Sequence, residues 1–268
     1  RLVGSEMCIR DRNTLGLETT ALGFVAGFTG KAIEDGLAAQ GIHTDFIHLP
    51  EGNSRINVKV KHGDETEING QGPVITEEAI NELFAKLDTL TKEDILVLAG
   101  SIPNTLPEDI YEKILARLES KGIRVVVDAT KDLLLNVLKY HPFLIKPNNH
   151  ELGEMFGTVC KTDEDIVHYA KKLQEKGAVN VLISMAGDGA ILITEDGQNI
   201  KMGTPKGKVV NSVGAGDSMV AGFITGYIRG GNYEEALKSG TAAGSATAFS
   251  EGLASLEMYE KMLKQITE

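Results

Sequence analysis

A chain of 268 residues with 42% hydrophobic and 24% charged residues has the size and composition of one α/β domain with a full core, which excludes a disordered or low-complexity protein. Its formal net charge of -11 repels polyanions and no basic stripe interleaved with aromatics occurs, so no nucleic acid is expected as a partner; a phosphorylated small molecule, held by local cations and backbone amides, stays open. The longest apolar runs, ILVLAG and VLISMAG, are too short to cross a membrane, no secretory leader is visible, and Cys8 and Cys160 show neither CxxC nor metal spacing, so a cytoplasmic chain with unpaired thiols is expected.

The first twelve residues, RLVGSEMCIRDR, carry no helical or strand period and run abruptly into NTLGLETTALGFVAGFTG at Asn13. Written out in codons, Leu2 to Asp11 resembles a transposase-type sequencing adapter, so residues 1–12 are expected to be foreign and 13–268 to be the domain. In SRINVKVKHGDETEI, residues 54–68, alternation around a polar HGDE turn predicts a hairpin, a lid spanning about 54–70. From about residue 76 helices and strands alternate. TEEAINELFAKL predicts a helix capped by Thr76, DILVLAGS a buried strand, and PEDIYEKILARLESKG a helix that starts at Pro107 and ends at Gly122. Strands RVVVDAT and FLIKPN, a helix in DEDIVHYAKKLQEKG, strands NVLISM and GAILIT, and a helix after GAGD complete a layered α/β fold with a mostly parallel sheet.

Ligands of open α/β sheets bind beyond the carboxyl ends of the strands. There the sequence places Gly100-Ser101, Asp128, Lys146-Pro147-Asn148 with Glu151 a turn later, Ser184-Met185-Ala186-Gly187, and Gly214-Ala215-Gly216-Asp217. Gly214, Ala215 and Gly216 leave backbone amides uncovered at a helix start, where orphan donors and the macrodipole favour an anion. Asp217 beside them is placed to accept a proton from a hydroxyl attacking a phosphoryl group. Without the glycines it would read as an ordinary first-turn acid. No GxxxxGK[ST] occurs and GAGDSM lacks the third glycine of GxGxxG, so neither a P-loop nor a dinucleotide fingerprint holds the phosphate.

These residues resemble the PfkB, ribokinase-like family of sugar kinases: NSVGAGDSMVAGFI matches its C-terminal signature, and SRINVKV, EINGQGP, LAGSIPNTLPEDIY, LIKPNNHEL and VLISMAGDGA follow in the family's order. LGFVAGFTG and RINVKV followed by ETEINGQGP look most like the branch acting on fructose 1-phosphate, with tagatose-6-phosphate kinases as the close alternative. The resemblance implies a three-layer fold with a small β lid, and an ATP- and Mg2+-dependent phosphosugar kinase. It implies Asp217 as catalytic base with Gly214, Ala215 and Gly216 as anion hole. Ser184, Gly187 and Gly189 would lie along the nucleotide phosphates, although Ala186 replaces a common glycine. The helix containing Ser245 would border adenine, or else its small residues serve helix packing. Asn148 and Glu151 would organise magnesium through water, or else cap a helix. Arg55 in the hairpin would meet the sugar's phosphate, or else be a solvated lid charge. The lid could pair with a second copy as a homodimer. The family's opening strand, with a substrate-binding Asp, and its GGKG segment do not precede Asn13, so truncation at the N-terminus is expected.

Overall fold

The computed structural model describes residues 2–4, 6–62, 64–100 and 102–267. In chain order these form β1 (Leu2–Gly4), α1 (Glu6–Thr14), β2 (Thr20–Ala21), β3 (Phe24–Ala26), α2 (Gly27–Ala38), β4 (His43–Thr44), β5 (Ile47–Leu49), β6 (Asn57–His62), β7 (Asp64–Asn69) and α3 (Glu77–Asp88). Then follow β8 (Ile95–Ala99), α4 (Ile110–Leu118), β9 (Arg124–Asp128), α5 (Lys131–Val137), β10 (Leu144–Ile145), α6 (Asn149–Met155), α7 (Asp163–Glu175), β11 (Asn180–Ser184), β12 (Ala190–Ile193), β13 (Asn199–Met202), α8 (Ala215–Gly230), α9 (Tyr233–Ala248) and α10 (Leu256–Thr267).

The central sheet runs β13-β12-β11-β10-β9-β8-β1-β2-β4. It is parallel from β11 to β4, and β12 and β13 add an antiparallel edge. Its strands are apolar on both sides because both faces are covered. Leu96, Leu98, Val125, Val127, Val181 and Ile183 point into a core shared with helices α3 to α7. The alternate residues Ile95, Val97, Val126 and Leu182 pack on Val220, Phe223 and Ile224 of α8 and Leu237 of α9. Helices on both faces of one sheet make three layers. The lid is the antiparallel pair β6 and β7, with Val58 opposite Ile68; Gly63, in the expected HGDE turn, lies outside the described residues.

Three expectations change in detail. Within the aperiodic first twelve residues, Leu2–Gly4 form a strand between β8 and β2, and residues 6–12 form most of a helix that continues through Asn13. A strand's ladder bonds come from backbone groups and are indifferent to side-chain period, so the pattern could not show it. Helix α4 starts at Ile110, because Pro107 instead accepts from the Ile110 amide in a preceding turn (3.0 Å). Arg55 lies two residues ahead of β6, outside the paired part of the hairpin.

Helices α8 and α9 approach with their backbones nearly touching. A Cβ on Gly222 would sit 2.5 Å from the Ser239 carbonyl oxygen, and one on Gly226 2.4 Å from that of Glu235. The glycines are there for proximity. Cys160 is a buried free thiol, while the side chain of Cys8 is outside the described set. Among the described residues no helix is long and apolar enough to cross a membrane.

Candidate active site

The carboxyl ends of the parallel strands converge on the start of α8. Gly214 is its N-cap at φ 82, a left-handed conformation that glycine adopts without strain. The Ala215 amide donates to the Ser212 carbonyl at 3.2 Å, so it is turned toward the preceding turn. The amides of Gly216 and Asp217, in the first turn, precede the helix's own hydrogen-bond ladder. Against them lies a charge that the sequence placed at a strand end without giving it a role. The Lys146 ammonium, its side chain only 8% exposed, stands close enough that a Cβ on Gly216 would be 3.0 Å from Nζ. The start of α8 is therefore an amide turn lined by a buried cation, an arrangement that suits an anion.

Lys146 follows β10, and its Nζ pairs with Asp128 Oδ1 at the end of β9, 3.4 Å away. Burial works against the ammonium, yet the carboxylates of Asp128, Glu151 and Asp217 outweigh it and hold the Lys146 pKa above its ordinary value. Asp128 is pushed up, first by burial and then by Asp217 and Glu151, with Lys146 opposing. Three carboxylates thus surround one ammonium, an excess of negative charge that favours a further cation.

Asn148 and Glu151 form a capping box at α6. Asn148 Oδ1 accepts from the amides of His150 (2.9 Å) and Glu151 (2.8 Å), and Glu151 Oε2 accepts from the Asn148 amide (2.8 Å). The cap also fixes the direction of the Glu151 carboxylate, close enough to Lys146 and Asp128 to shift both.

On the other side of Asn148, the Ser184 amide reaches the Pro147 carbonyl at 3.3 Å and carries the sheet's end toward the turn Ala186–Asp188. Ala186 sits at φ 47, a left-handed position where a Cβ is strained. A Cβ on Gly187 would meet nothing within 4 Å, whereas one on Gly189 would lie 1.9 Å from the Met202 carbonyl oxygen. Gly187 thus presents an open surface, and Gly189 is a glycine because β13 passes against it. Ser245 is 6% exposed inside α9. A Cβ on its neighbour Gly244 would stand 3.0 Å from the Ala215 carbonyl oxygen, so the small residues of this helix make close packing against α8.

The exposed Arg55 borders a cleft of about 420 Å³, with Phe24, Gly72, Ala99, Ile102 and Tyr111 among its walls. Gln71 and Asn104 extend it into a more polar recess that Arg55 also lines. Ser101 lies outside the described residues. Ala99 pairs in register with Asp128 across β8 and β9, so the cleft and the carboxylate cluster lie at the same end of the sheet.

A family model described as pfkB family carbohydrate kinase matches residues 13–258. The chain belongs to the pfkB family. It is 50% identical over 246 residues to a 1-phosphofructokinase of Bacillus subtilis (strain 168), covering 92% of this chain and 80% of that protein. A D-tagatose-1-phosphate kinase of Bacillus licheniformis is 39% identical over 253 residues, 94% of this chain and 83% of the relative. A crystal structure of a Staphylococcus aureus protein shares the fold with a TM-score of 0.90 and 45% identity, over 97% of this chain and 84% of that one. As a pfkB-family kinase the chain is a phosphotransferase with an alcohol group as acceptor, and ATP is the donor the family implies.

Proposed function

We propose that this pfkB-family kinase phosphorylates fructose 1-phosphate to fructose 1,6-bisphosphate, with Asp217 as catalytic base. The observation that carries the reading is the start of α8, where Asp217 stands beside the Gly216 amide and the buried Lys146 ammonium. The sugar's 6-hydroxyl oxygen forms a bond to the γ-phosphorus of ATP, the bond to the bridging oxygen breaks, ADP leaves, and Asp217 takes the hydroxyl proton. Amides and ammonium offset the charge spread over the transferring oxygens, the main protein contribution to a loose phosphoryl transfer. Ser184, Gly187 and Gly189 border the nucleotide phosphates, with α9 around Ser245 behind them. Arg55, with a guanidinium suited to bidentate contact, holds the sugar's own phosphate.

Mg2+ fits the charge balance of the site. Glu151, oriented by its capping box with Asn148, would hold the ion through water. When bound, it neutralises phosphate charge.

The 39% identical relative is named for the 1-phosphate of tagatose, which makes D-tagatose 1-phosphate, rather than the 6-phosphate, the second substrate to test. ADP release measured with ATP, Mg2+ and each of fructose 1-phosphate, tagatose 1-phosphate and fructose 6-phosphate tests the reading. The highest kcat/KM is expected with fructose 1-phosphate. Turnover with none of the three would overturn it.

Residues 1–12 are foreign to the gene, in keeping with a family match that starts at residue 13; an independent read across the gene's 5′ end that returns RLVGSEMCIRDR would refute this. The lid is a dimer surface, since Ile56, Val58 and Ile68 are 60%, 45% and 59% exposed and a second copy would cover them. A cytoplasmic location is the one this reading implies, because the ATP that the reaction consumes is held there.

A further inference from the structure

The loop after β8 is one wall of the substrate cleft, which Ile102, Pro103, Thr105 and Leu106 line together with Arg55. Its root is a turn at Gly100, φ 90, whose amide donates to the Asp128 carbonyl at 3.1 Å. The root has a second holder. Tyr111, in the first turn of α4, reaches back so that its hydroxyl lies 3.1 Å from the Ala99 carbonyl oxygen and 3.2 Å from that of Gly100. One phenolic proton is thus shared between two consecutive carbonyls where the strand becomes the loop. The Tyr111 ring also lines the cleft itself.

We propose that Tyr111 is a positioning residue for the phosphosugar: its hydroxyl fixes the Ala99–Gly100 turn and thereby sets the Ile102–Leu106 wall at the correct distance from Arg55. This rests on the phosphosugar reading given above. The tyrosine holds its proton at every pH of interest, because burial and then the charge of Asp128 push its pKa up to about 12. The same turn is continuous with the catalytic cluster. Gly100 bonds the Asp128 backbone, the Asp128 carboxylate pairs with Lys146, and Lys146 lies against Gly216. The wall that orients the sugar and the hole that receives the phosphoryl group are therefore built from adjoining strand ends.

Tyr111→Phe keeps the ring and removes only the hydroxyl, so it is the decisive variant. In the full chain it is expected to raise KM for fructose 1-phosphate by about tenfold, the equivalent of one neutral hydrogen bond, with kcat and KM for ATP unchanged. Amide hydrogen exchange at Ile102, Thr105 and Leu106 is expected to quicken, with the melting temperature recorded alongside. Wild-type KM together with wild-type exchange would overturn the proposal. So would a loss of kcat at constant KM, the mark of an interaction made in the transition state or of fewer folded molecules rather than of sugar positioning. Should the wild-type chain not turn over fructose 1-phosphate, the functional reading fails separately, and exchange alone decides the clamp: faster exchange in Tyr111→Phe sustains it, and unchanged exchange refutes it.

Discussion

Lys146 shows what one buried side chain does to a site. Its ammonium neutralises part of a three-carboxylate cluster and faces Gly216 of the anion hole. A positive group in that position acts on charge that develops during transfer, in a site with little water to screen it. Lys146→Met is expected to lower kcat/KM by about a hundredfold or more, read by steady-state ADP release; a change of less than a few-fold would separate Lys146 from catalysis. Ala186 gives a prediction of the opposite kind. At φ 47 its Cβ is strained where a glycine would not be, so Ala186→Gly should raise unfolding free energy by about 0.5–1 kcal/mol. Chemical denaturation measures that, and a loss of stability would show that the turn is not strained. That the family pattern favours glycine here was legible in the sequence. The dihedral angle that gives the reason was not.

At the scale of elements, the start of α8 was legible because GAGD combines three residues too small to cover their amides with an acid, directly before an apolar helical period. The NxxE pair was legible as two alternatives, and both aspects occur together: the capping box fixes Glu151 while leaving it close enough to Lys146 and Asp128 to shift them. The α8–α9 contact was only half legible, since small residues suit a ligand or a neighbouring backbone equally well. A Cβ on Gly226 would lie 2.4 Å from the Glu235 carbonyl oxygen, a backbone group that cannot rotate aside. Gly226→Ala should therefore cost about 1–3 kcal/mol by overpacking, and a variant as stable as wild type would mean the helices can separate.

Helix α1 contributes a pH dependence. Asp11 is 5% exposed and accepts from the Ser218 hydroxyl at 2.7 Å. Burial raises its pKa to about 6, the Ser218 bond opposes, Asp217 adds to the rise and Arg12 opposes. A raised carboxyl pKa means the fold favours the neutral form. Between about pH 4 and 6 the unfolded chain loses this proton first, so stability falls as pH rises through that window, by up to roughly 3 kcal/mol. Asp11→Asn should flatten that part of the stability profile. An unaltered profile would show that Asp11 carries no such shift.

For the whole molecule, the net charge of -11 and a substrate that is itself an anion are reconciled by local placement. The exposed Arg55 lines the cleft, and the buried Lys146 sits beside Gly216 at the converging strand ends. The layered order of helices and parallel strands was legible from apolar runs of strand length alternating with helical periods. Strand β1, made by aperiodic residues, was not, and neither were the short strands β2 and β4 or the edge strand β13, because ladder bonds leave no trace in side-chain pattern. Nor was the salt pair between Lys146 and Asp128, whose members come from different strands and meet only when β9 and β10 lie side by side. The exposed apolar residues of the lid predict self-association of the whole chain, and light scattering on a purified sample should return a dimer mass that Ile68→Lys reduces to a monomer.

The most direct measurement is steady-state phosphoryl transfer from ATP to fructose 1-phosphate by the wild-type chain and by Asp217→Asn. The geometry at the start of α8 predicts a fall in kcat of about two orders of magnitude or more, with fructose 1-phosphate still bound. Wild-type turnover in Asp217→Asn would remove Asp217 as the base and contradict the mechanism.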